Sequence, residues 1–334
     1  MAVVGCGYWG PNLIRNFESL PESKIKTIVD IDTQRLSHIK DIYQDIVTST
    51  NYDDVINDSD IDAVAIATPV NMHFEFAQKS LKACKHTFIE KPMASSSKQC
   101  SKLIELAEKN NLTLMIGHTF IFTPAVRKIK EIVDSGDLGN IYYINAQRLN
   151  LGLFQRDINV AWDLGPHDLS IILFVLNQMP VSVNCQGKAN ITKDIEDTTN
   201  MTINFHNGGF ATIQSSWLDP NKVRRMTFVG SKKMLLYDDT EPLEKIKIYD
   251  KRVDIPPYYD SFGEFQYSYH YGDIQIPYFK GVEPLKSECQ QFIDCIKTGN
   301  KSESSGHEGM KIVKILEAAS DSLRQRGSEV RIVI

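Results

Sequence analysis

Three short stretches carry residues whose types and spacing can do chemistry. Gly5-Cys6-Gly7-Tyr8-Trp9-Gly10 runs straight out of the apolar Ala2-Val3-Val4 and into a helical pattern. A Gly-x-Gly-x-x-Gly turn in that setting suits a dinucleotide. Gly5 permits the turn, Gly7 lets the backbone approach a pyrophosphate, and Gly10 lets the helix pack on the strand. The helix start then offers free N–H groups and the positive end of its dipole to the phosphates. Asp30 stands at the end of the next apolar run, twenty residues beyond Gly10. A carboxylate there accepts hydrogen bonds from ribose hydroxyls and repels a 2′-phosphate, which selects NAD over NADP. Arg35, five residues later, can stack on adenine.

The second stretch is Phe88-Ile89-Glu90-Lys91-Pro92-Met93. It ends a strand of the nucleotide domain, so Lys91 is expected over the cofactor cleft, where an ammonium can donate to a substrate oxygen. Pro92 fixes the backbone there, with a cis bond as one option. By composition alone Lys91 also reads as a solvated lysine before a turn proline. The third stretch is Trp162-Asp163-Leu164-Gly165-Pro166-His167-Asp168. Asp163 and His167 are four apart at a helix start, and Pro166 suits the first turn. Asp163 then reaches the His167 ring and orients it, and an oriented imidazole is a general base near neutral pH. The alternative is a histidine that satisfies a helix cap.

These residues need elements to position them. Strands and helices alternate as far as residue 118, with strands over 25–29, 63–67, 87–89 and 112–116. That pattern predicts a dinucleotide-binding domain over 1–118, a doubly wound parallel α/β sheet of the Rossmann kind. Asp32 is expected to cap the second helix. After Gly117 the rhythm changes. Helices are expected over 124–135 and 169–176, and a long strand over 141–151. Strands over 181–189, 198–205, 210–216, 224–229 and 234–237 follow, with Asn207-Gly208-Gly209 as a hairpin turn. The second half, 119–334, is therefore an α+β domain with a broad, mainly antiparallel sheet. Strands 201–205 and 210–213 place small uncharged residues on their outer faces. Such a face suits contact with another copy, so a homodimer or homotetramer through this sheet is expected. Residues 251–284 show little periodicity and read as an ordered surface excursion. Its aromatic runs, Tyr258 to Phe262 and Tyr269 to Asp273, suit stacking on a base or sugar face, or packing on a neighbouring subunit.

The totals exclude several classes. The chain has 334 residues, a net charge of −5 and no basic run, so a nucleic-acid partner is not expected. No apolar stretch approaches the roughly 20 residues that span a bilayer. The six cysteines lack CxxC spacing, which argues against zinc or any other metal and for idle thiols in a reducing cytoplasm. The first strand starts almost at Met1. No signal peptide is expected, and a short preceding piece is.

Gly5-x-Gly7-x-x-Gly10, Glu90-Lys91-Pro92 and Asp163-x-x-x-His167, in this order and at these distances, resemble the glucose–fructose oxidoreductase / inositol dehydrogenase / MocA-type (Gfo/Idh/MocA) family. The resemblance covers essentially the whole chain. It implies an NAD(P)-dependent sugar or cyclitol dehydrogenase with Lys91 as catalytic lysine and Asp163 and His167 as the base pair. It assigns Thr68, Pro69, Asn71 and His73 to a cofactor-contacting turn, counts Tyr8, Trp9 and Glu90 with the cofactor contacts, and puts Trp162 near the nicotinamide. An ordinary βα turn for Asn71 and core packing for Trp162 remain open. Arg148-Leu149-Asn150-Leu151-Gly152, followed by 159–167, resembles one branch, the sugar-nucleotide 3-dehydrogenases of bacterial surface-polysaccharide and lipid A synthesis, which act on UDP-N-acetylglucosamine or its uronic acid. Arg148 and Asn150 share a strand face, either meeting sugar hydroxyls and a diphosphate or forming an exposed sheet pair. The expected reaction is hydride transfer from a sugar ring carbon, C3 of a UDP-N-acetylhexosamine, to NAD. The alternatives are a free-sugar or inositol dehydrogenase and a non-catalytic NAD-binding regulator.

Overall fold

Residues 1–254 and 268–333 are described by a computed structural model. Short apolar runs and amphipathic stretches alternate at first: β1 (Ala2–Val4), α1 (Gly10–Glu18), β2 (Thr27–Val29), α2 (Thr33–Ile42), β3 (Val47–Ser49), α3 (Asp53–Ile56), β4 (Ala63–Ile66), α4 (Val70–Lys82), β5 (His86–Glu90), α5 (Ser97–Lys109) and β6 (Leu114–Gly117). A 3-10 turn, Thr119–Phe122, follows. Next come α6 (Pro124–Asp134), β7 (Ile141–Leu149), α7 (Val160–Leu176), β8 (Ser182–Lys188), β9 (Thr198–Asn204), β10 (Phe210–Ser216), β11 (Val223–Gly230), β12 (Met234–Asp238), β13 (Ile246–Asp254) and β14 (Ser268–Gln275). The chain closes with α8 (Pro284–Thr298), α9 (Gly306–Arg324) and β15 (Val330–Arg331).

Two compact units form, 1–122 with 282–317, and 123–281 with 318–333. The division read from the sequence at 118/119 followed chain order. In space 282–317 return to the first unit, because α8 packs on α1. Phe17, Phe88 and Phe292 meet edge to face there, with centroids 5.8–6.1 Å apart. All three rings are fully buried, so each contributes a large apolar area to this core.

The first unit's sheet is wholly parallel, in the order β3-β2-β1-β4-β5-β6. Its strands β1, β2, β4 and β6 are buried throughout, as a sheet covered on both faces requires. Strand order reverses at β1 and β4, the switch point where such sheets bind ligands. Asp32 caps α2 as expected, accepting from the Gln34 and Arg35 amides.

The second unit holds nine strands in the order β14-β13-β12-β11-β7-β10-β9-β8-β15, with β7 and β10 parallel and the other pairs antiparallel. Ile144, Ala146 and Arg148 of β7 and Ala211, Ile213 and Ser215 of β10 are buried on the face that α7 covers. The other face is uncharged over much of its width. Register aligns Asn204, Phe210, Tyr143, Val229, Met234, Tyr249 and Ile274 in one row across it. The next row is Asn184, Thr202, Thr212, Asn145, Thr227, Leu236 and Lys247. Phe210 and Tyr143 stack at 5.6 Å. Phe210 stands on this outer face and Ala211 inside, the reverse of the small-residue face read from the sequence.

Two further differences have physical causes. β13 and β14 continue the sheet through part of the excursion expected over 251–284. β14 is an edge strand with nearly every residue exposed, so it has no alternation to read. Tyr258 to Phe262 lie outside the described residues. α7 is one helix from Val160, capped by Asn159, and Pro166 lies in its interior. Proline's fixed φ is helical, so the ring costs one amide bond without ending the helix.

The tightest joint of the first unit is between α1 and β1. An ideal Cβ on Gly10 would overlap the Gly5 carbonyl. Gly10→Ala should lower unfolding free energy by roughly 1–3 kcal/mol through overpacking, measured by thermal melts. In the second unit Arg148 and Asp168 form a bidentate ion pair at 3.0 and 2.9 Å, both about 5% exposed or less. Arg148→Ala should cost about 3–5 kcal/mol in denaturant unfolding, because Asp168 is left as an uncompensated buried charge, while the double substitution Arg148→Met with Asp168→Leu recovers much of that loss.

Candidate active site

The dinucleotide turn is built from backbone. Gly5 has φ +97°, and a Cβ there would lie 2.5 Å from the Ala67 carbonyl oxygen. Only glycine fits both demands. At Gly7 a Cβ would meet nothing nearer than Arg35 Nη1 at 3.8 Å, so the main chain faces open space. α1 begins at Gly10 with Pro11 in its first turn and no side-chain cap, and the Asn12 and Leu13 amides turn back to the Trp9 carbonyl. Asp30 follows β2, nearly buried. Its Oδ2 accepts the Cys6 amide at 2.5 Å and its Oδ1 the Asp32 amide at 2.8 Å. Arg35 Nη1 is 3.8 Å from Asp30 Oδ2. Tyr8 is 83% exposed beside the turn. The Thr68 Oγ1 is buried and lacks a hydrogen-bond partner among the described residues. A turn only glycine can make, a helix N-terminus, a carboxylate beyond β2 and the unmatched Thr68 hydroxyl fit NAD.

His73 takes a different place from the one expected. It is buried, with Nδ1 2.9 Å from the Pro92 carbonyl and Nε2 2.8 Å from that of Thr68. The ring ties the turn after β4 to the turn after β5 and is not a surface that touches a cofactor. Pro69 and Asn71 are exposed at the start of α4.

Lys91 stands just past β5, half-buried, and the Lys91–Pro92 bond is cis. Glu90 is buried behind it, and its Oε2 accepts the Lys91 amide at 3.3 Å. Burial pushes the Glu90 carboxyl up to about 7, against the opposing pull of the Lys91 ammonium and the nearby Trp9 indole. Glu90 is thus a buried group at the end of β5 that accepts the Lys91 amide, with its Oε1 lacking a partner among the described residues.

In the second unit α7 presents Asp163 and His167 one turn apart, both half-buried. The Asn159 side chain accepts the Trp162 amide at 3.2 Å and sets where this helix starts. The indole of Trp217, fully buried just after β10, donates to Asp163 Oδ2 at 3.1 Å. Trp162 donates through its own indole to Ser320 Oγ at 2.9 Å. The sequence expectation for Arg148 is corrected. Its fork is taken up by Asp168 inside the unit, so it is not available to a diphosphate. Asn150, two residues on, is half-buried, and its amide donates to the Ser216 carbonyl. Trp217 was missed because nothing in its local sequence links it to Asp163. Asp168 sat in the quoted motif, but its partner lies twenty residues back on another element.

Comparison with known proteins agrees with this geometry. Residues 1–118 match the oxidoreductase family with an NAD-binding Rossmann fold, and residues 126–236 match the GFO/IDH/MocA C-terminal domain. An uncharacterized oxidoreductase, YrbE, of Bacillus subtilis is 25% identical over 96% of this chain and 93% of its own. A UDP-N-acetylglucosamine 3-dehydrogenase of Acidithiobacillus ferrooxidans is 32% identical over 50% of this chain and 52% of its own. A solved structure of a UDP-N-acetylglucosamine 3-dehydrogenase from that organism superposes with a TM-score of 0.79 at 22% identity, over 97% of both chains. Among the described residues no helix is long and apolar enough to cross a membrane, and no group of three or more His, Cys, Asp or Glu residues could hold a metal ion. The chain belongs to the GFO/IDH/MocA family of oxidoreductases and carries that family's NAD-binding Rossmann domain.

Proposed function

We propose that this protein oxidises a ring hydroxyl of a nucleotide sugar, C3 of a UDP-linked N-acetylhexosamine, to a ketone. The observation that supports the substrate most is the 32% identity to a UDP-N-acetylglucosamine 3-dehydrogenase over half the chain. NAD, when bound, accepts the hydride from the carbon. His167 removes the hydroxyl proton. Asp163, one turn earlier and held by the Trp217 indole, orients the imidazole and stabilises its charged form. Lys91 donates to the substrate oxygen as negative charge moves through it. Asp30 takes the ribose hydroxyls, the Gly5–Gly10 turn takes the pyrophosphate, and Thr68 offers its unmatched hydroxyl to the same cofactor, with Tyr8 and Trp9 beside it. Trp162 stands on the nicotinamide side and Asn150 on the substrate side.

Lys91→Ala and His167→Ala should each lower turnover by roughly two to four orders of magnitude, followed by NADH absorbance. The substrates are UDP-N-acetylglucosamine, its uronic acid, glucose and myo-inositol. Reduction of NAD by glucose or inositol alone would overturn the nucleotide-sugar assignment, and a near-wild-type rate in either variant would refute its role.

The same reading makes the protein a homodimer or homotetramer through the outer face of the nine-stranded sheet. An apolar row bearing Phe210, Tyr143, Val229, Met234 and Ile274 is costly to leave in water. Light scattering at micromolar protein should give at least twice the chain mass, and Tyr143→Lys with Phe210→Lys should shift it toward one chain. A monomeric wild type would sink this proposal.

A further inference from the structure

Arg148 does not serve a diphosphate, because Asp168 takes its fork inside the second unit. A nucleotide sugar still brings two phosphates, and their charge calls for a cation. The sheet restricts where that cation can stand. β7 and β10 run parallel and end side by side, with Leu149 opposite Ser216. Ser216 in turn pairs with Thr198 at the start of β9, and Thr198 with Lys188 at the end of β8. Three connections therefore meet at this edge: 150–159 before α7, 189–197 before β9, and 217–222 before β11. α7 starts from the first of them and carries Asp163 and His167.

That first connection is fixed at both ends. The Asn150 amide donates to the Ser216 carbonyl at 3.2 Å, and the Gly152 amide to the Trp217 carbonyl at 3.0 Å. Phe154 lies against the Trp217 ring with centroids 5.4 Å apart. A Cβ on Gly152 would sit 2.9 Å from Trp217 Cδ1, so this close seat suits glycine. The same indole donates to Asp163 Oδ2. At the other end Asn159 accepts the Trp162 amide and donates to Glu196 Oε2 at 2.7 Å.

Arg156 stands between the two fixed ends. Its side chain is exposed and makes no hydrogen bond or ion pair among the described residues. The acids of the neighbouring connection do not claim it: Glu196 holds Asn159, and Asp197 holds Asn190 and the Ile191 amide. Arg156 is three residues before Asn159, so its Cα lies within roughly 11 Å of the helix start, at about 3.5 Å per extended residue. Asp163 follows about one helical turn later. On the hexose, C3 and the diphosphate-bearing C1 are separated by one ring carbon. A long side chain at position 156 therefore reaches the diphosphate when C3 faces His167.

We propose that Arg156 is the diphosphate anchor of the substrate site, the residue that separates a nucleotide sugar from a free sugar. This rests on the reading of the substrate as a nucleotide sugar. The guanidinium is always charged and its fork matches two phosphate oxygens. Lys188 is exposed at the same edge, but β9 stands between its strand and β10.

Calorimetry on the full-length protein, with NAD present, compares UDP with uridine. Wild type should bind UDP more tightly than uridine. Arg156→Gln should weaken UDP by roughly tenfold to a hundredfold, the loss of charge-assisted hydrogen bonds. Uridine affinity, NAD affinity and Tm should not change in that variant. Arg156→Lys should recover part of the loss, since it keeps the charge without the fork. Lys188→Gln removes the same charge from the same edge and should match wild type. Unchanged UDP affinity in Arg156→Gln overturns the proposal, and so does an equal loss in Lys188→Gln or no preference for UDP over uridine in wild type. The NADH assay separates this from the substrate reading. Turnover of a UDP-sugar with wild-type KM in Arg156→Gln defeats the anchor alone. UDP held through Arg156 without turnover of any nucleotide sugar defeats the assigned reaction and leaves the anchor standing.

Discussion

The guanidinium of Arg148 is buried on the inner face of the nine-stranded sheet, and its two outstretched nitrogens close on the carboxylate of Asp168. Asp168 is the residue after His167. A bidentate pair fixes distance and rotation together, so the strand dictates which way this part of α7 turns. Low dielectric makes the pair strong once formed and expensive to half-break. Trp217 grips the same helix four residues before His167, through Asp163. Two anchors, one on β7 and one just past β10, thus hold the turn of α7 that carries His167.

In the first unit the supports are mostly main-chain atoms. Gly10 lies against the Gly5 carbonyl, Asp30 accepts two amides, and His73 bridges the carbonyls of Thr68 and Pro92. The His73 bridge joins the loops after β4 and β5, two neighbouring strands of the parallel sheet. Lys91 therefore does not sit on an independent loop. Its neighbour Pro92 is tied to the strand next door through the His73 ring.

Much of this was legible in the residues. The glycine turn, Asp30 and the Asp32 cap are local signals, because backbone geometry there admits few residue types. The change from parallel α/β to a broad sheet followed from strand spacing. The settings of Arg148 and His73 were not legible, because each depends on a partner brought close only by folding: Asp168 for Arg148, and the Thr68 and Pro92 carbonyls for His73. A basic or acidic residue beside a motif invites a ligand role, and burial is what reassigns it. β14 escaped notice for the opposite reason, since an edge strand with both faces wet carries no hydrophobic alternation.

The single parallel pairing in the second sheet also governs how that sheet is assembled. β7 and β10 lie side by side although Gln147 and Gln214, paired across them, are 67 residues apart. Everything between, α7 included, must be looped out before the central ladder closes. Closing so long a loop is paid in chain entropy before the ladder returns any enthalpy, which slows folding. The helix that carries Asp163 and His167, α7, lies inside that loop. It gains its Trp217 anchor only when the slow central pairing is made, so α7 is fully held late, at the same step that completes the core.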